Sequence, residues 1–118
     1  MRTIIIISLV TTLALLAGAS TAHTQQSWVG DYVVTGVNPN GSTYKGTATI
    51  RTIVHNTYHV AWQTGTQEYA GFGFVDAKGY LVVGGLDFPL IVSYAPGGSG
   101  TWLEPGAPTV ATEKLTKQ

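Results

Sequence analysis

The sequence predicts an all-β domain of about eight antiparallel strands, in an up-and-down meander that forms a small barrel or a strongly coiled sheet. Turn signals rich in Gly, Pro, Asn and Asp recur at short intervals, between runs enriched in Val, Ile, Thr, Tyr, Phe and Trp. No segment combines a sustained period of 3.6 residues with helix caps. The connections are also too short for parallel crossovers, so sequential antiparallel pairing remains, and closing such a meander removes its exposed edges.

Residues 1–22 have the features of a cleaved secretory signal peptide. Arg2 supplies the positive charge, an apolar stretch follows, and small residues within 17–22 offer two alternative cleavage points. A transmembrane anchor is the other interpretation, but it needs about 20 mostly apolar residues, and this stretch is shorter and interrupted by threonines. We therefore expect a single all-β domain over residues 23–118, secreted or periplasmic in a bacterium, with no membrane span after cleavage.

The charge of residues 23–118 limits the classes of possible partner, and their cysteine content limits how the domain can be stabilised. Five basic and six acidic residues are scattered along this segment, so there is no basic patch to attract nucleic acid or an anionic membrane. Cysteine is absent, so the domain must fold without disulfides. We expect no nucleic-acid partner.

The first two strands form a predicted β-hairpin. Alternating runs between Trp28 and Gly46 flank a turn at Asn38–Ser42 that is rich in Asn, Pro and Gly. Side chains two residues apart share one face of a strand. One face of this hairpin therefore carries Trp28, Gly30, Tyr32 and Val34 on the first strand, and Tyr44, Gly46, Ala48 and Ile50 on the second.

The later strands follow from the same alternation. Tyr58, Val60 and Trp62 share a face of the third strand, whereas His59 and Gln63 point the other way. The remaining turn signals are His55–Thr57, Thr64–Thr66, Asp76–Gly79, Gly84–Asp87, Pro96–Gly100 and Pro105–Pro108. Several glycines lie inside strands, as the sharp bends of a small coiled sheet require: Gly30, Gly46, Gly71, Gly73 and Gly84.

Several motifs of the chain resemble small exported bacterial proteins that are labelled "fibronectin-binding protein". These motifs are W-x-G-x-Y from Trp28, N-P-x-G-x-x-Y-x-G from Asn38, Y-x-V-x-W from Tyr58, G-x-W from Gly100, and the closing segment Thr112–Thr116. The resemblance runs from about Trp28 to Leu115. It implies an exported β module with fibronectin as a candidate ligand.

A weaker likeness is to the eight-stranded barrels of the lipocalin and avidin type. Those families open with Gly-x-Trp, whereas Trp28-Val29-Gly30 has the reverse order. No ligand-contacting residue is therefore carried over from them.

The sequence contains no recognisable catalytic or metal-binding pattern. His55 and His59 flank a hairpin turn, but a zinc site would need three or four ligands, and no partner lies nearby in sequence. The serines lack a nucleophile-elbow motif. The acidic residues are few and mostly adjacent to turns, where solvation and turn formation explain them. We predict no enzyme, no catalytic residue, no metal site and no cofactor.

Aromatic residues are the remaining candidates for function. A face rich in Tyr and Trp is either the hydrophobic core, the wall of an interior cavity, or an exposed patch for stacking a sugar, lipid or peptide. The predicted ligand-binding residues are Trp28, Tyr32, Tyr44, Tyr58, Trp62 and Trp102.

Three functions stay open on this pattern. The leading one is an exported, non-enzymatic, adhesin-like binding module, with fibronectin, another host extracellular-matrix macromolecule or a cell-envelope macromolecule as partner. The alternative is a carrier for a small apolar ligand such as a lipid, which requires a mostly apolar pocket of about 300 Å³ or more with a few convergent polar groups. A hydrolase is the third, and it would need clustered carboxylates or a histidine-based dyad with perturbed pKa values.

Overall fold

The computed structural model describes residues 27–118, which form eight antiparallel strands and confirm the predicted all-β class. The predicted signal peptide over residues 1–22 lies outside the described residues. The strands are β1 (Gly30–Val37), β2 (Thr43–Val54), β3 (Thr57–Thr64), β4 (Gln67–Val75), β5 (Leu81–Gly85), β6 (Ile91–Tyr94), β7 (Ser99–Leu103) and β8 (Ala111–Lys117). Residues 27–118 hold no helix with the length and apolarity needed to cross a bilayer.

The meander closes into a barrel because the last strand pairs with the first. Each strand pairs antiparallel with its successor, and β8 pairs with β1 from Tyr32 opposite Lys117 to Val37 opposite Thr112. Every strand therefore has two hydrogen-bonded neighbours, and no edge is left open along the sheet. The closed form is selected over the open coiled sheet that the sequence also allowed.

The turns fall close to their predicted positions, but four of the predicted turns overlap a strand end, two of them by one residue of β3. β5 continues through Gly84 to Gly85, and β7 already includes Ser99 and Gly100, so these residues belong to strands. They are small residues in a strand. Gly100 is small because the ring of Tyr94 packs directly against it. Turn composition alone does not separate such a residue from a loop residue.

Alternation along the strands places the predicted faces correctly. The interior holds Tyr32, Val34, Ala48, Ile50, Val60, Trp62, Leu81, Val83, Val92, Tyr94 and Leu115, joined by Trp28 ahead of β1. The residues between them, such as Lys45, Arg51 and Lys114, face outward. The barrel interior is therefore a packed apolar core along much of its length.

The two ends of the barrel differ. At one end, which we call the closed end, Trp28 is 3% exposed, and its carbonyl accepts a hydrogen bond of 2.7 Å from the hydroxyl of Tyr32. The Lys117 ammonium lies 6.0 Å from the centroid of the Tyr32 ring at the same end. The opposite end carries the connections after β1, β3, β5 and β7 and is left open. The candidate site lies there.

Candidate functional site

A cavity of about 340 Å³ opens between the loops at the open end of the barrel. Its wall combines apolar and aromatic side chains with two carboxyl groups, those of Glu104 and Glu113. Six aromatic residues contribute to it: Tyr44, Trp62, Tyr69, Phe88, Tyr94 and Trp102. We refer to these eight residues and the space between them as the mouth pocket.

Glu113 is the more buried of the two carboxyl groups of this pocket. In β8 it lies between Ala111 and Leu115 on the inward face, because side chains alternate along a strand. Its two register partners are glycines, Gly36 on β1 and Gly100 on β7. The carboxyl group is therefore flanked on both sides by strands with no side chain at that level.

Two tyrosines fill the space left by these glycines. Tyr44 on β2 is the register partner of Gly36, and Tyr94 on β6 is the register partner of Gly100. A β-carbon on Gly36 would overlap the Tyr44 ring, and one on Gly100 would lie 2.5 Å from Tyr94 Cδ1. Each tyrosine thus lies across a glycine and reaches Glu113 on the strand beyond it.

The hydroxyl groups of both tyrosines donate hydrogen bonds to Glu113. Tyr44 donates to Oε1 at 2.6 Å, and Tyr94 donates to Oε2. Five register partners on five adjacent strands therefore form a row across the sheet, in the order Tyr44, Gly36, Glu113, Gly100, Tyr94. The row is symmetric about Glu113, with a glycine and then a tyrosine on each side. The carboxyl group lies at its centre.

Two tryptophans determine the direction of these hydrogen bonds. The indole N–H of Trp102 donates to the Tyr44 hydroxyl, and that of Trp62 donates to the Tyr94 hydroxyl, both at 2.9 Å. Indole can only donate, so each hydroxyl must accept from its tryptophan and send its own proton onward to Glu113. Glu113 is therefore a double acceptor, which is the role of a carboxylate.

The surroundings of Glu113 shift the ionisation of the whole cluster. Burial raises the pKa of Glu113, and the surrounding donor groups of Tyr44, Tyr94 and Trp62 lower this pKa by less than burial raises it. The pKa values of Tyr44 and Tyr94 are raised by burial and then by the neighbouring Glu113 carboxyl. Both tyrosines thus stay protonated donors over the physiological range, whereas Glu113 is a poorly solvated acid.

The aromatic walls of the mouth pocket pack in edge-on and tilted pairs. The rings of Tyr44 and Trp102 are 6.4 Å apart at an interplanar angle of 71°, and those of Tyr69 and Phe88 are 4.9 Å apart at 59°. Phe88 comes from the β5–β6 connection, so a loop residue forms part of the wall. Such pairs fix the orientations of the rings relative to each other.

The six predicted ligand-binding residues divide into three groups. Tyr44, Trp62 and Trp102 line the mouth pocket. Trp28 and Tyr32 are buried at the closed end, where they contact each other. Tyr58 is partly buried and packs against the core outside the pocket lining. The division arises because residues that share a face lie at different heights along the barrel axis.

Glu113 and Tyr94 are the two central residues that the sequence reasoning missed. The expectation that acidic residues near turns are solvated is wrong for Glu113, which is partly buried and faces the interior. The available signal was its place between Ala111 and Leu115, since these alternating positions share one face. Tyr94 is an aromatic residue outside the six predicted ligand-binding positions, and Phe88 gives no periodic signal because it lies in a loop.

The histidines lie away from the mouth pocket. His55 occupies the β2–β3 turn with a φ of 52°, and His59 lies on the outward face of β3 opposite Arg51 and Phe72. Within the described residues no group of three or more His, Cys, Asp or Glu is placed to hold a metal ion. The chemistry available in the mouth pocket is that of carboxyl, phenol and indole groups, which favours binding through hydrogen bonds, charge and stacking.

Comparison of the chain with known proteins finds no match to a protein-family model, a curated protein or a solved structure.

Proposed function

We propose that this barrel binds a small, largely apolar ligand in the mouth pocket. The observation that carries the proposal is a cavity of about 340 Å³ with aromatic walls in which the polar atoms of Tyr44, Tyr94 and Glu113 converge. Ligand pockets are mostly apolar concave sites with a few precisely placed polar groups, and volumes of about 300 Å³ and above are typical of them. The cavity lies near the lower end of that range, which suits a small ligand.

The contrast between the two ends of the barrel supports this assignment. Trp28, Tyr32 and Leu81 fill the closed end with exposures of 3%, 3% and 0%, as a purely structural core requires. At the open end the aromatic side chains surround a space instead of filling it. A buried carboxyl group in a core is expensive, since an apolar residue of the same size would pack without desolvating a charge. A ligand that uses Glu113 would explain its presence.

Binding of a fluorescent probe tests the proposal directly. We expect the neutral probe N-phenyl-1-naphthylamine to bind with saturable enhancement of its fluorescence. Leu90→Trp should abolish that binding, because Leu90 lines the cavity and a larger side chain would fill it. Leu103→Trp is the matched control, since Leu103 is 45% exposed and faces outward on β7. Equal binding by both variants, or none by the unmodified protein, would contradict the proposal.

The predicted binding of a macromolecule stays a second candidate, and one feature of the outer surface favours it. Phe72, Gly84, Ile91 and Leu103 are successive register partners across β4 to β7, so three apolar side chains form one outward row around a glycine. Phe72 and Ile91 are 53% and 62% exposed. Contiguous exposed apolar groups of this kind are typical of interaction surfaces.

Immobilised fibronectin separates this candidate from the mouth pocket. If the row binds fibronectin, the double variant Phe72→Ser, Ile91→Ser should lose retention on the surface, whereas Leu90→Trp should keep it. Absence of retention for the unmodified protein would remove fibronectin as the partner.

A further inference from the structure

We propose that the ligand of the mouth pocket is an organic cation, an amine or quaternary ammonium compound whose charge faces Glu113 among the aromatic rings. This inference rests on the proposed function, because it names the chemical class of ligand for the same pocket.

The lining of the mouth pocket carries negative charge only. Glu113 is its partly buried carboxyl group and Glu104 its exposed one, whereas no Lys, Arg or His of the described residues lines it. An anionic ligand, such as a fatty acid, would place its carboxylate against two carboxyl groups without a counter-charge. A cation instead meets both groups with opposite charge.

Glu113 has unused acceptor capacity that its neighbours cannot fill. An ionised carboxylate offers roughly four lone-pair sites. Tyr44 and Tyr94 donate one hydrogen bond each, to different oxygens, and their own acceptor sites are taken up by Trp102 and Trp62. The tyrosines thus hold the carboxylate in place and leave its remaining sites for a donor or a charge that enters from the cavity.

The aromatic rings suit the body of such a cation. Six rings line the cavity, and the negative face of an aromatic ring attracts a cation within about 6 Å of its centroid. Tryptophan is the strongest of these partners, and two of the six rings are the tryptophans Trp62 and Trp102. The N-methyl or methylene groups of an ammonium compound would contact ring surface while its charge stays near Glu113.

Burial of Glu113 supplies the driving force. The ordinary solvation of this carboxyl group is partly lost, which is why its pKa is raised. Among residues 27–118 no basic side chain is hydrogen-bonded to it, and its partners are two phenol hydroxyls. A bound ammonium group would provide the missing counter-charge, whereas a neutral ligand of the same shape would not.

Three probes of nearly equal shape test the inference by fluorescence of Trp62 and Trp102 and by calorimetry. They are benzyltrimethylammonium, the neutral neopentylbenzene and the anionic benzylsulfonate. We expect benzyltrimethylammonium to bind at least about tenfold more tightly than either of the other two probes. The attraction between a bound cation and a buried carboxylate changes the affinity by more than this factor. Equal or tighter binding of the neutral or anionic probe would overturn the cation inference.

Removal of single carboxyl groups provides the second arm. Glu113→Gln keeps the size of the side chain and should weaken benzyltrimethylammonium binding about tenfold or more while leaving neopentylbenzene within about threefold. Glu104→Gln, which removes the exposed carboxyl group, should have a smaller effect. Glu68→Gln is the matched control, because Glu68 is exposed on β4 outside the pocket lining. A Glu113→Gln variant that binds the cation unchanged would also overturn the inference, and far-ultraviolet circular dichroism checks that the variant is folded.

The outcomes for the cation and for the pocket itself are distinct. If N-phenyl-1-naphthylamine binds in a manner that Leu90→Trp abolishes, but no ammonium preference is found, the pocket stands and its ligand is not a cation. If no probe binds at all, both proposals fail.

Discussion

The ring of Tyr94 lies directly on Gly100 of the adjacent strand, so that a β-carbon at Gly100 would be 2.5 Å from Cδ1 and 2.9 Å from Cε1. Tyr94 is 0% exposed, and its hydroxyl is hydrogen-bonded to both Trp62 and Glu113, so the ring is held in place at its hydroxyl end. The absence of a side chain at Gly100 is therefore a condition for the contact between Tyr94 and Glu113.

Gly100→Ala should destabilise the barrel. The added methyl group must displace a fully buried ring, and overpacking of this kind costs about 1–3 kcal/mol in the free energy of unfolding. Gly84→Ala is the matched control, because a β-carbon there would find its nearest atom, the Leu90 carbonyl oxygen, at 4.0 Å. Urea unfolding should place the control within about 1 kcal/mol of the unmodified protein. Equal stability of both variants would show that the Tyr94 ring is not confined.

Tyr94→Phe should cost about 1–3 kcal/mol of stability, since it leaves the buried Trp62 N–H without an acceptor and removes one donor from Glu113. Tyr80→Phe provides the comparison. Tyr80 is 37% exposed, so water can occupy the place of the lost hydroxyl. Thermal and urea unfolding of both variants measure the difference. A loss of equal size in the two would contradict the importance of the network.

The stability of the barrel should fall as pH rises through the ionisation of Glu113. Its pKa in the folded state is raised above the ordinary value of 4.5, so the folded protein binds this proton more tightly than the unfolded chain does. The stabilising contribution of the proton is complete below about pH 4.5 and is lost as pH rises through the raised pKa. The difference in unfolding free energy between the unmodified protein and Glu113→Gln should decline over that window. A flat difference would contradict the burial of Glu113.

Cation affinity should change with pH in the opposite direction. Tyr44 and Tyr94 face Glu113 as neutral phenols with raised pKa values, and Glu104 is the other acidic group of the pocket, so Glu113 is the buried charge that a cation meets. Binding of benzyltrimethylammonium should strengthen as pH rises through the raised pKa of Glu113, and neopentylbenzene should show no such trend. Calorimetric titration at several pH values measures both, with Glu113→Gln as the control without this ionisation.

Substitutions in the packed core should lower stability without changing ligand binding, and substitutions in the pocket wall should mainly weaken ligand binding. Leu81→Ala removes a residue that is 0% exposed in the packed core and should cost about 2–5 kcal/mol of stability without changing probe affinity. Phe88→Ala, in the pocket wall, should weaken probe binding and cost less stability, because Phe88 is only partly buried. Unfolding and probe titration on both variants test this. A Leu81→Ala variant that folds but binds weakly would show that the two ends are coupled.

The strand content and the inward faces of the early strands could be predicted because they depend on local properties. Alternation of side chains has a period of two residues within a single strand, so Tyr44, Ala48 and Ile50 are assigned to one face without reference to the rest of the chain. The turn residues likewise determine their own backbone conformation. The eight-strand count and the sequential antiparallel order follow from these two signals.

The mouth pocket depends on contacts that no local signal describes. Tyr44 and Glu113 are 69 residues apart, and they meet because β8 closes onto β1 in one register that places Gly36 between them. A shift of one residue would turn Glu113 to the solvent and leave the tyrosines without their acceptor. The sequence by itself therefore determined an all-β meander with aromatic inner faces. Only the tertiary structure decided that its strands close, which of its aromatic residues surround a space, and that a carboxylate lies at the centre, because closure and register are properties of all eight strands together.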